Sequence, residues 1–252
     1  MSQPSFEKSA LAFKIASKKE AHAHWEIGKQ LEMMNLRRLL KQPADSVKRG
    51  RILGSELEFE VPTWDQVYDM LLSLAGKIRK NEFRPDVIVG VSRGGWPPAR
   101  VLSDLLGNPN VANVRAEFYV GLTETKCEPA LTQPVSVPVD GKKVLVVDEV
   151  VDTGRSLKLV KEHIVEKGAA EVRVATVYSK PWSVVKPDYH EKESSCWIVF
   201  PWERKETIRN ILRQYVEKEA LFKKEKAKLV KAGMPAKLVY RFLKEITEEE
   251  NC

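Results

Sequence analysis

The stretch that decides the fold runs Val144-Leu145-Val146-Val147-Asp148-Glu149-Val150-Val151-Asp152-Thr153-Gly154-Arg155-Ser156-Leu157. Its first four residues are apolar and mostly β-branched, as in a buried strand, and two carboxylates follow them directly. A short polar turn over residues 152–156 then opens a helical pattern that continues to residue 167. The stretch therefore predicts a strand, a turn and a helix, with two acidic side chains at the carboxyl end of the strand.

Similar units lie on both sides of this stretch. Thr63 and Gln66 have the spacing of a capping box, and an apolar-periodic helix follows to residue 80. Further strands are predicted at residues 86–91, 111–120 and 171–178, and a further helix at residues 99–106. We therefore expect an α/β fold, with a mostly parallel sheet and helices on both of its faces. Ligands of such sheets bind at the carboxyl ends of the strands.

The distribution of charge divides the 252 residues into three parts. The net charge is +7, from 42 basic and 35 acidic side chains. Residues 1–60 carry 11 basic and 8 acidic side chains, residues 61–203 carry 18 and 19, and residues 204–252 carry 13 and 8. Both flanks also show helical periodicity. We predict a helical N-terminal extension and linker at 1–60, a nearly neutral domain at 61–203, and a helical C-terminal extension at 204–252.

The composition excludes several classes of protein. No apolar run approaches the ~20 residues of a membrane helix, and the N-terminus has no apolar signal segment, so we expect a cytoplasmic location. The three cysteines, Cys127, Cys196 and Cys252, are scattered without CxxC spacing. A disulfide framework and a cysteine-rich zinc site are therefore excluded.

The turn at residues 152–156 is suited to holding a phosphate. Backbone N–H groups at the start of a helix, the hydroxyls of Thr153 and Ser156, and the close approach allowed by Gly154 together make an anion cradle. The same residue types also cap ordinary helices, so the turn alone does not decide between the two interpretations. The carboxylates of Asp148 and Glu149 nearby favour a ligand with both a phosphate and hydroxyl groups, and a phosphorylated ribose fits.

The whole string resembles the phosphoribosyl-pyrophosphate (PRPP) binding signature of the type I phosphoribosyltransferases, and the wider resemblance spans residues 61–203. The family's acidic pair is Asp-Asp or Glu-Asp, whereas this chain has Asp148-Glu149. The resemblance implies that this pair holds the ribose hydroxyls and Mg²⁺. It also implies that Asp152 is the catalytic residue and belongs to the PRPP-binding loop, in which Thr153, Gly154, Arg155 and Ser156 bind the 5′-phosphate.

Three further segments fit the same family. Ser92, Arg93 and Gly94, after the strand at 86–91, are similar to the loop that binds pyrophosphate. The resemblance implies that Lys180 contacts the exocyclic group at position 6 of a purine. Trp197 would stack on the base and Ile198 would offer backbone contacts, while Glu203 would lie near a second magnesium. Trp202, in contrast, is expected to be a core residue.

The resemblance implies a purine phosphoribosyltransferase that transfers phosphoribose from PRPP to a 6-oxopurine. Two alternatives stay open: an adenine phosphoribosyltransferase, and a regulator on the same fold that senses PRPP and binds nucleic acid. We expect a homo-oligomer, a dimer or tetramer, and no nucleic-acid or membrane partner. Residues 116–138 are expected to form a long loop that closes over the reaction centre, with Tyr119 and Lys126 as candidates there.

Overall fold

The computed structural model describes residues 58–119, 128–215 and 218–249. Within these ranges the chain divides into two compact units, residues 58–204 and residues 205–249. Nearly all of the predicted N-terminal extension, residues 1–57, lies outside the described residues, as do Lys126, Cys127 and Cys252. The three-part division predicted from charge therefore stays a prediction.

The first unit alternates strands and helices. Its strands are β1 (Phe59–Glu60), β2 (Val87–Ser92), β3 (Val111–Tyr119), β4 (Glu128–Gln133), β5 (Lys143–Val151), β6 (Glu171–Ser179), β7 (Tyr189–Glu193) and β8 (Trp197–Ile198). Its helices are α1 (Trp64–Lys80), α2 (Trp96–Leu106) and α3 (Arg155–Glu166). The capping box at the start of α1 forms as predicted, since Thr63 and Gln66 each accept a hydrogen bond from the other's backbone N–H.

Six strands form one sheet in the order β4-β3-β2-β5-β6-β7. All neighbouring pairs in it are parallel except β3 and β4, which are antiparallel. The predicted α/β fold with a mostly parallel sheet is confirmed. A separate two-stranded parallel sheet pairs β1 with β8.

Helices cover both faces of the sheet. Alternate residues of a strand point to opposite faces, so each central strand contributes to two apolar clusters. Ile88 and Leu145 pack with residues of α1 and α2, among them Leu71 and Leu102. The neighbouring residues along the strands pack with α3; this second cluster includes Val87, Val89, Val144, Val146, Leu157, Val160 and Ile164. The central strands β2 and β5 are therefore buried on both sides, which explains their uninterrupted apolar sequences.

Two expectations about local structure are corrected. Strand β5 does not end at the acidic pair but continues to Val151, because its last residues pair with Tyr178 and Ser179 of β6. The long loop predicted at residues 116–138 is largely a β-hairpin: Ala116 already lies in β3, and β4 pairs back onto that strand. The residues between, 120–127, lie outside the described part of the chain.

The second unit consists of helices that pack on one apolar cluster. After α4 (Arg204–Tyr215) come α5 (Glu219–Lys231) and α6 (Ala236–Glu249), and Gly233 has a positive φ in the turn between the last two. Side chains from all three helices meet there, among them Ile208, Phe222 and Val239. Ion pairs between α4 and α6 join Lys205 to Glu245 at 2.8 Å and to Glu249 at 2.6 Å.

The length and polarity of the helices also bear on membranes. Within the described ranges, no helix is both long enough and apolar enough to cross a membrane.

Candidate active site

The site lies where the connections of the sheet diverge. Strands β2 and β5 are neighbours, but the chain leaves β2 toward β3 on one side and leaves β5 toward β6 on the other. A crevice forms at the carboxyl ends of two strands that diverge in this way. The loops that follow β2 and β5 carry Arg93 and Asp152, and they therefore lie at the same edge of the sheet.

Close glycine packing brings the loop after β2 into contact with the end of β5. A Cβ at Gly94 would stand 1.8 Å from Oε1 of Glu149, so the backbone of Gly94 lies directly against that carboxylate. A Cβ at Gly95 would stand 2.5 Å from the carbonyl oxygen of Val147. The Ser92–Arg93 peptide bond is cis, and the side chain of Arg93 is exposed. The structure thus brings together Ser92–Gly95 and the acidic pair, which are more than fifty residues apart in the sequence.

The acidic pair is held inside β5. The backbone N–H of Glu149 donates to Oδ1 of Asp148 at 3.0 Å. Burial raises the pKa of Asp148 to about 6, although hydrogen bonding from Glu149 opposes this rise. A carboxylate that has already lost much of its hydration is disposed to accept a positive ion or hydroxyl donors.

The predicted phosphate cradle begins helix α3. Gly154 precedes the helix with a φ of 83°, a left-handed conformation that favours glycine. The N–H of Lys158 makes the first helical hydrogen bond, to Gly154, so the N–H groups of residues 155–157 precede the ladder. Arg155 N–H has only a long hydrogen bond of 3.4 Å to Oγ1 of Thr153. The geometry matches an anion site at the N-terminus of a helix.

Lys180 lies directly after β6 and is nearly buried. Its ammonium group donates to the carbonyl oxygen of Cys196, next to Trp197. Burial lowers the pKa of Lys180, while the negative charge of Asp152 opposes this change. An ammonium group has three donors, so Lys180 retains donors beyond the one that it gives to Cys196.

The predicted base segment is short and tied to β1. The N–H groups of Trp197 and Val199 donate to the carbonyl oxygens of Glu58 and Glu60, each at 2.8 Å. Because backbone groups alternate along a strand, those of Ile198 face the other side of β8. Trp197 is half-buried and Ile198 is buried, so the segment presents one partly exposed ring and one set of backbone groups.

Asp152 and Lys180 meet through a third residue. The indole N–H of Trp182 donates to Oδ1 of Asp152 at 2.8 Å, and the ammonium group of Lys180 lies 5.5 Å from the centre of the same ring. The loop after β5 and the loop after β6 therefore form one continuous surface.

Comparison with known proteins identifies the family of the chain. Residues 63–207, more than half of the chain, match the phosphoribosyl transferase domain. The chain belongs to the phosphoribosyl transferase family. Its matched region covers every loop described above.

Individual phosphoribosyl transferases resemble most of this region. A xanthine-guanine phosphoribosyltransferase of Gluconobacter oxydans is 29% identical over 149 residues, covering 58% of this chain and 86% of the relative. One from Cereibacter sphaeroides is 30% identical over 172 residues, covering 66% and 94%. The crystal structure of a purine phosphoribosyltransferase from Pyrococcus horikoshii shares 38% identity with a TM-score of 0.53, covering 58% and 94%.

Glu203 and Trp202 have separate surroundings in this phosphoribosyl transferase. Oε1 of Glu203 accepts a hydrogen bond from the backbone N–H of Phe200 at 3.2 Å. Trp202 stacks on Phe200 with ring centres 4.9 Å apart and packs against the core, as expected. Among the described residues, no group of three or more acidic, histidine or cysteine side chains converges for a metal. Asp148, Glu149 and Glu203 therefore do not form such a cluster.

Two residues of this site had no role in the sequence interpretation. One is Trp182, whose only sequence signal was its position two residues after Lys180. The other is Glu60, which accepts hydrogen bonds from Tyr178 at 2.7 Å, Lys192 at 2.6 Å and Ser194 at 3.0 Å. Partners more than a hundred residues away could not be read from the sequence around Glu60.

Proposed function

We propose that the chain transfers a 5-phosphoribosyl group from PRPP to a ring nitrogen of a 6-oxopurine, releasing pyrophosphate and forming a nucleoside monophosphate for purine salvage. The observation that carries this proposal is the contact between the loop after β2 and the acidic pair of β5, where Gly94 packs on Glu149. The base-type residue Lys180 follows β6 at the same edge of the sheet, and its ammonium group donates to the carbonyl oxygen of Cys196, next to Trp197 of β8. The names of the relatives support the same reaction.

PRPP has a proposed partner for each of its polar parts. The N–H groups at the start of α3 bind the 5′-phosphate, as the N-terminus of a helix favours an anion. Asp148 and Glu149 accept hydrogen bonds from the ribose hydroxyls. Arg93, exposed on the loop after β2, binds the pyrophosphate with its planar group of donors.

The two carboxylates also fit Mg²⁺. This ion typically takes one or two protein carboxylates and completes its ligands with water and substrate oxygens. Asp148 and Glu149 supply such a pair, without a third side chain in the described residues. When bound with PRPP, Mg²⁺ supplies positive charge to the oxygens of the leaving pyrophosphate. Glu203 as an additional ligand stays a prediction.

Lys180 provides the reason to prefer a 6-oxopurine over adenine. The ammonium group is a donor only, which matches the carbonyl oxygen at position 6 of hypoxanthine, guanine and xanthine. Adenine presents an amino group there, and two donors would face each other. The stack on Trp197 and the backbone groups of Ile198 suit any purine, so the discrimination rests on Lys180.

Asp152 is proposed to handle the proton of the base. The bond between C1′ and the pyrophosphate oxygen breaks, and its electron pair leaves with pyrophosphate. The lone pair of one imidazole nitrogen forms the new bond to C1′, and Asp152 takes the proton from the other imidazole nitrogen. A positioned base of this kind contributes about 10² to 10⁴ in rate. The preorganised loops hold the developing charges in place.

A panel of bases tests the proposal. With PRPP and Mg²⁺, we expect turnover of hypoxanthine, guanine or xanthine and little turnover of adenine. Asp152→Asn should lower kcat by about 10², and Arg93→Ala should raise the KM for PRPP. Asp104→Asn, an exposed change on α2, serves as the matched control and should leave both constants unchanged.

The outcomes separate the alternatives. A preference for adenine would establish the adenine enzyme. Salt-dependent binding of DNA or RNA without any turnover would establish the regulator. Full turnover by both Asp152→Asn and Arg93→Ala would contradict the assigned roles. The homo-oligomeric state and the cytoplasmic location are further expectations, and light scattering on the full chain measures the former.

A further inference from the structure

Trp182 lies on a turn that is bonded at both ends to the loop of Asp152. The N–H of Lys180 donates to the carbonyl oxygen of Val151 at 2.9 Å, and the N–H of Val184 donates to that of Thr153 at 3.2 Å. The position of the turn is therefore fixed relative to Asp152 by the backbone, independently of the Trp182 side chain.

The side chain of Trp182 is arranged in a way that packing does not explain. Trp182 is 53% exposed, so the burial of its apolar surface stabilises the fold less than the burial of a core tryptophan would. Its polar atom nevertheless donates to Oδ1 of Asp152 at 2.8 Å, a hydrogen bond of good length. An ammonium group 5.5 Å from the ring centre, that of Lys180, adds a cation–π contact. The ring is thus held between the two polar groups assigned to the purine.

A hydrogen bond on one oxygen orients the whole carboxylate. Asp152 is exposed, and without a partner its side chain would sample several rotamers. A donor fixed on Oδ1 selects one of them and leaves Oδ2 as the second acceptor of the carboxylate. Preorganisation of this kind lowers the cost of reaching the reactive geometry.

We propose that Trp182 is a positioning residue, whose indole N–H holds Oδ1 of Asp152 so that Oδ2 takes the proton from the purine. This role rests on the proposed function. Trp182 touches neither C1′ nor the leaving group, and it acts through Asp152.

The test compares Trp182→Phe, which keeps an aromatic ring and removes the donor, with Trp182→His, which restores a ring N–H. Trp182→Phe should lower kcat about tenfold, corresponding to ~1.4 kcal/mol of transition-state stabilisation. The KM for PRPP should change less than about twofold, because Trp182 does not contact the proposed PRPP groups. Trp182→His should recover part of kcat. Trp64→Phe is the control, since Trp64 is also exposed, at 57%, and its ring packs at a tilt against Trp202 instead, with ring centres 5.5 Å apart.

A double substitution shows whether the effect passes through Asp152. In the Asp152→Asn background, Trp182→Phe should change kcat by less than about twofold, because the carboxylate to be positioned is gone. An equal loss in both backgrounds, or full kcat in Trp182→Phe, would overturn the role of Trp182. The indole N–H resonance of Trp182, assigned by its loss in Trp182→Phe, should move in Asp152→Ala, and an unmoved resonance would overturn the hydrogen bond.

The proposed function and the role of Trp182 fail in different ways. A wild-type chain that transfers phosphoribose to no purine would overturn the proposed function, and with it the role of Trp182. An active wild type with an unaffected Trp182→Phe variant would overturn the role of Trp182 alone.

Discussion

The buried charge of Asp148 lowers the stability of the folded chain at neutral pH. Its pKa is raised from 3.8 to about 6 by burial, so the folded chain binds its proton more tightly than the unfolded chain does. Between these two pH values the unfolded chain releases the proton first, and the free energy of unfolding falls as the pH rises through this window. Above about pH 6 the full cost of the buried charge is present.

Asp148→Asn should therefore stabilise the ligand-free chain at neutral pH. We expect the free energy of unfolding at pH 7.5 to rise by about 1 to 3 kcal/mol, since one pKa unit corresponds to ~1.4 kcal/mol. The gain should vanish below about pH 3, where the wild-type carboxyl is protonated in both states. Urea unfolding with EDTA present measures it, with Asp104→Asn as the exposed control. A gain that does not depend on pH would contradict the assignment of the cost to charge.

Gly95 illustrates steric rather than electrostatic constraint. Its φ of −74° suits any residue, but a Cβ there would stand 2.5 Å from the carbonyl of Val147 and 2.7 Å from that of Val91. Gly95→Ala should lower the free energy of unfolding by about 1 to 3 kcal/mol through overpacking.

The matched control for Gly95→Ala is Gly76→Ala. Gly76 lies inside α1, and a Cβ there would have no neighbour within 4 Å. This substitution should stabilise the chain by about 0.5 to 1 kcal/mol, because glycine is a poor helix former. Urea unfolding measures the free energy of unfolding of both variants. Changes of the same sign in the two variants would contradict the steric explanation.

Among the elements, the short strand β1 is the one that positions the base segment. It pairs with β8, and Glu60 joins it to β6 and β7 through Tyr178, Lys192 and Ser194. Burial tends to raise the pKa of Glu60, but hydrogen bonds from these three residues outweigh it and lower the pKa below 4.5. A lowered folded-state pKa contributes stability above the unfolded-state value, and this contribution is lost as the pH falls through the folded-state value.

Glu60→Gln should therefore destabilise the chain by about 2 kcal/mol at pH 7, in the range of hydrogen bonds to a charged group. The difference from wild type should shrink below about pH 4, when Glu60 itself becomes protonated. Glu58→Gln is the control, because its side chain is exposed at the other end of the same segment. Thermal unfolding of both variants is measured from pH 3.5 to pH 7.5. Equal losses of stability in Glu60→Gln and Glu58→Gln would contradict a stabilising role for the hydrogen bonds to Glu60.

The edge strands β4 and β7 show where sequence patterns fail at the level of elements. Their sequences, Glu128–Gln133 and Tyr189–Glu193, are polar and lack the apolar runs of β2 and β5. Each lies at an edge of the sheet, and charged side chains and proline are tolerated there because one side of the strand has no partner to satisfy. Periodicity detects burial, so it identified the central strands and missed these two.

At the scale of the whole molecule, the proposed site draws on loops after three different strands, so its ligand should stabilise the entire first unit. PRPP with Mg²⁺ should raise the free energy of unfolding by about 2.7 kcal/mol at a hundredfold excess over Kd. A purine alone should have a smaller effect, because it lacks the phosphate contacts. Thermal unfolding across a PRPP titration measures this shift, and Glu149→Gln should reduce it. An unchanged midpoint at millimolar PRPP would contradict binding at this site.

The excess of basic residues lies outside residues 61–203 in the sequence. The C-terminal helices carry much of the excess, yet many of their cations are paired, as in Lys223 with Glu219 at 2.8 Å and Arg241 with Glu245 at 2.7 Å. Pairs of this kind are surface interactions of small net energy. Within the described part of the chain, the excess of positive charge therefore belongs to the C-terminal helices, whereas the proposed chemistry depends on local loops.

The sequence by itself determined the strand, turn and helix of residues 144–166 and the loop after β2, because strand burial, turn chemistry and helix capping act over a few neighbouring residues. It also pointed to Asp148, Glu149, Asp152 and Lys180 through a pattern contained in short segments. Only the tertiary structure decided which of these meet. The deciding contacts join residues 30 to 118 positions apart: Gly94 with Glu149, Trp182 with Asp152, and Glu60 with Tyr178 of β6. Such contacts depend on the order of the strands, which brings distant loops to one edge of the sheet and which no local pattern encodes.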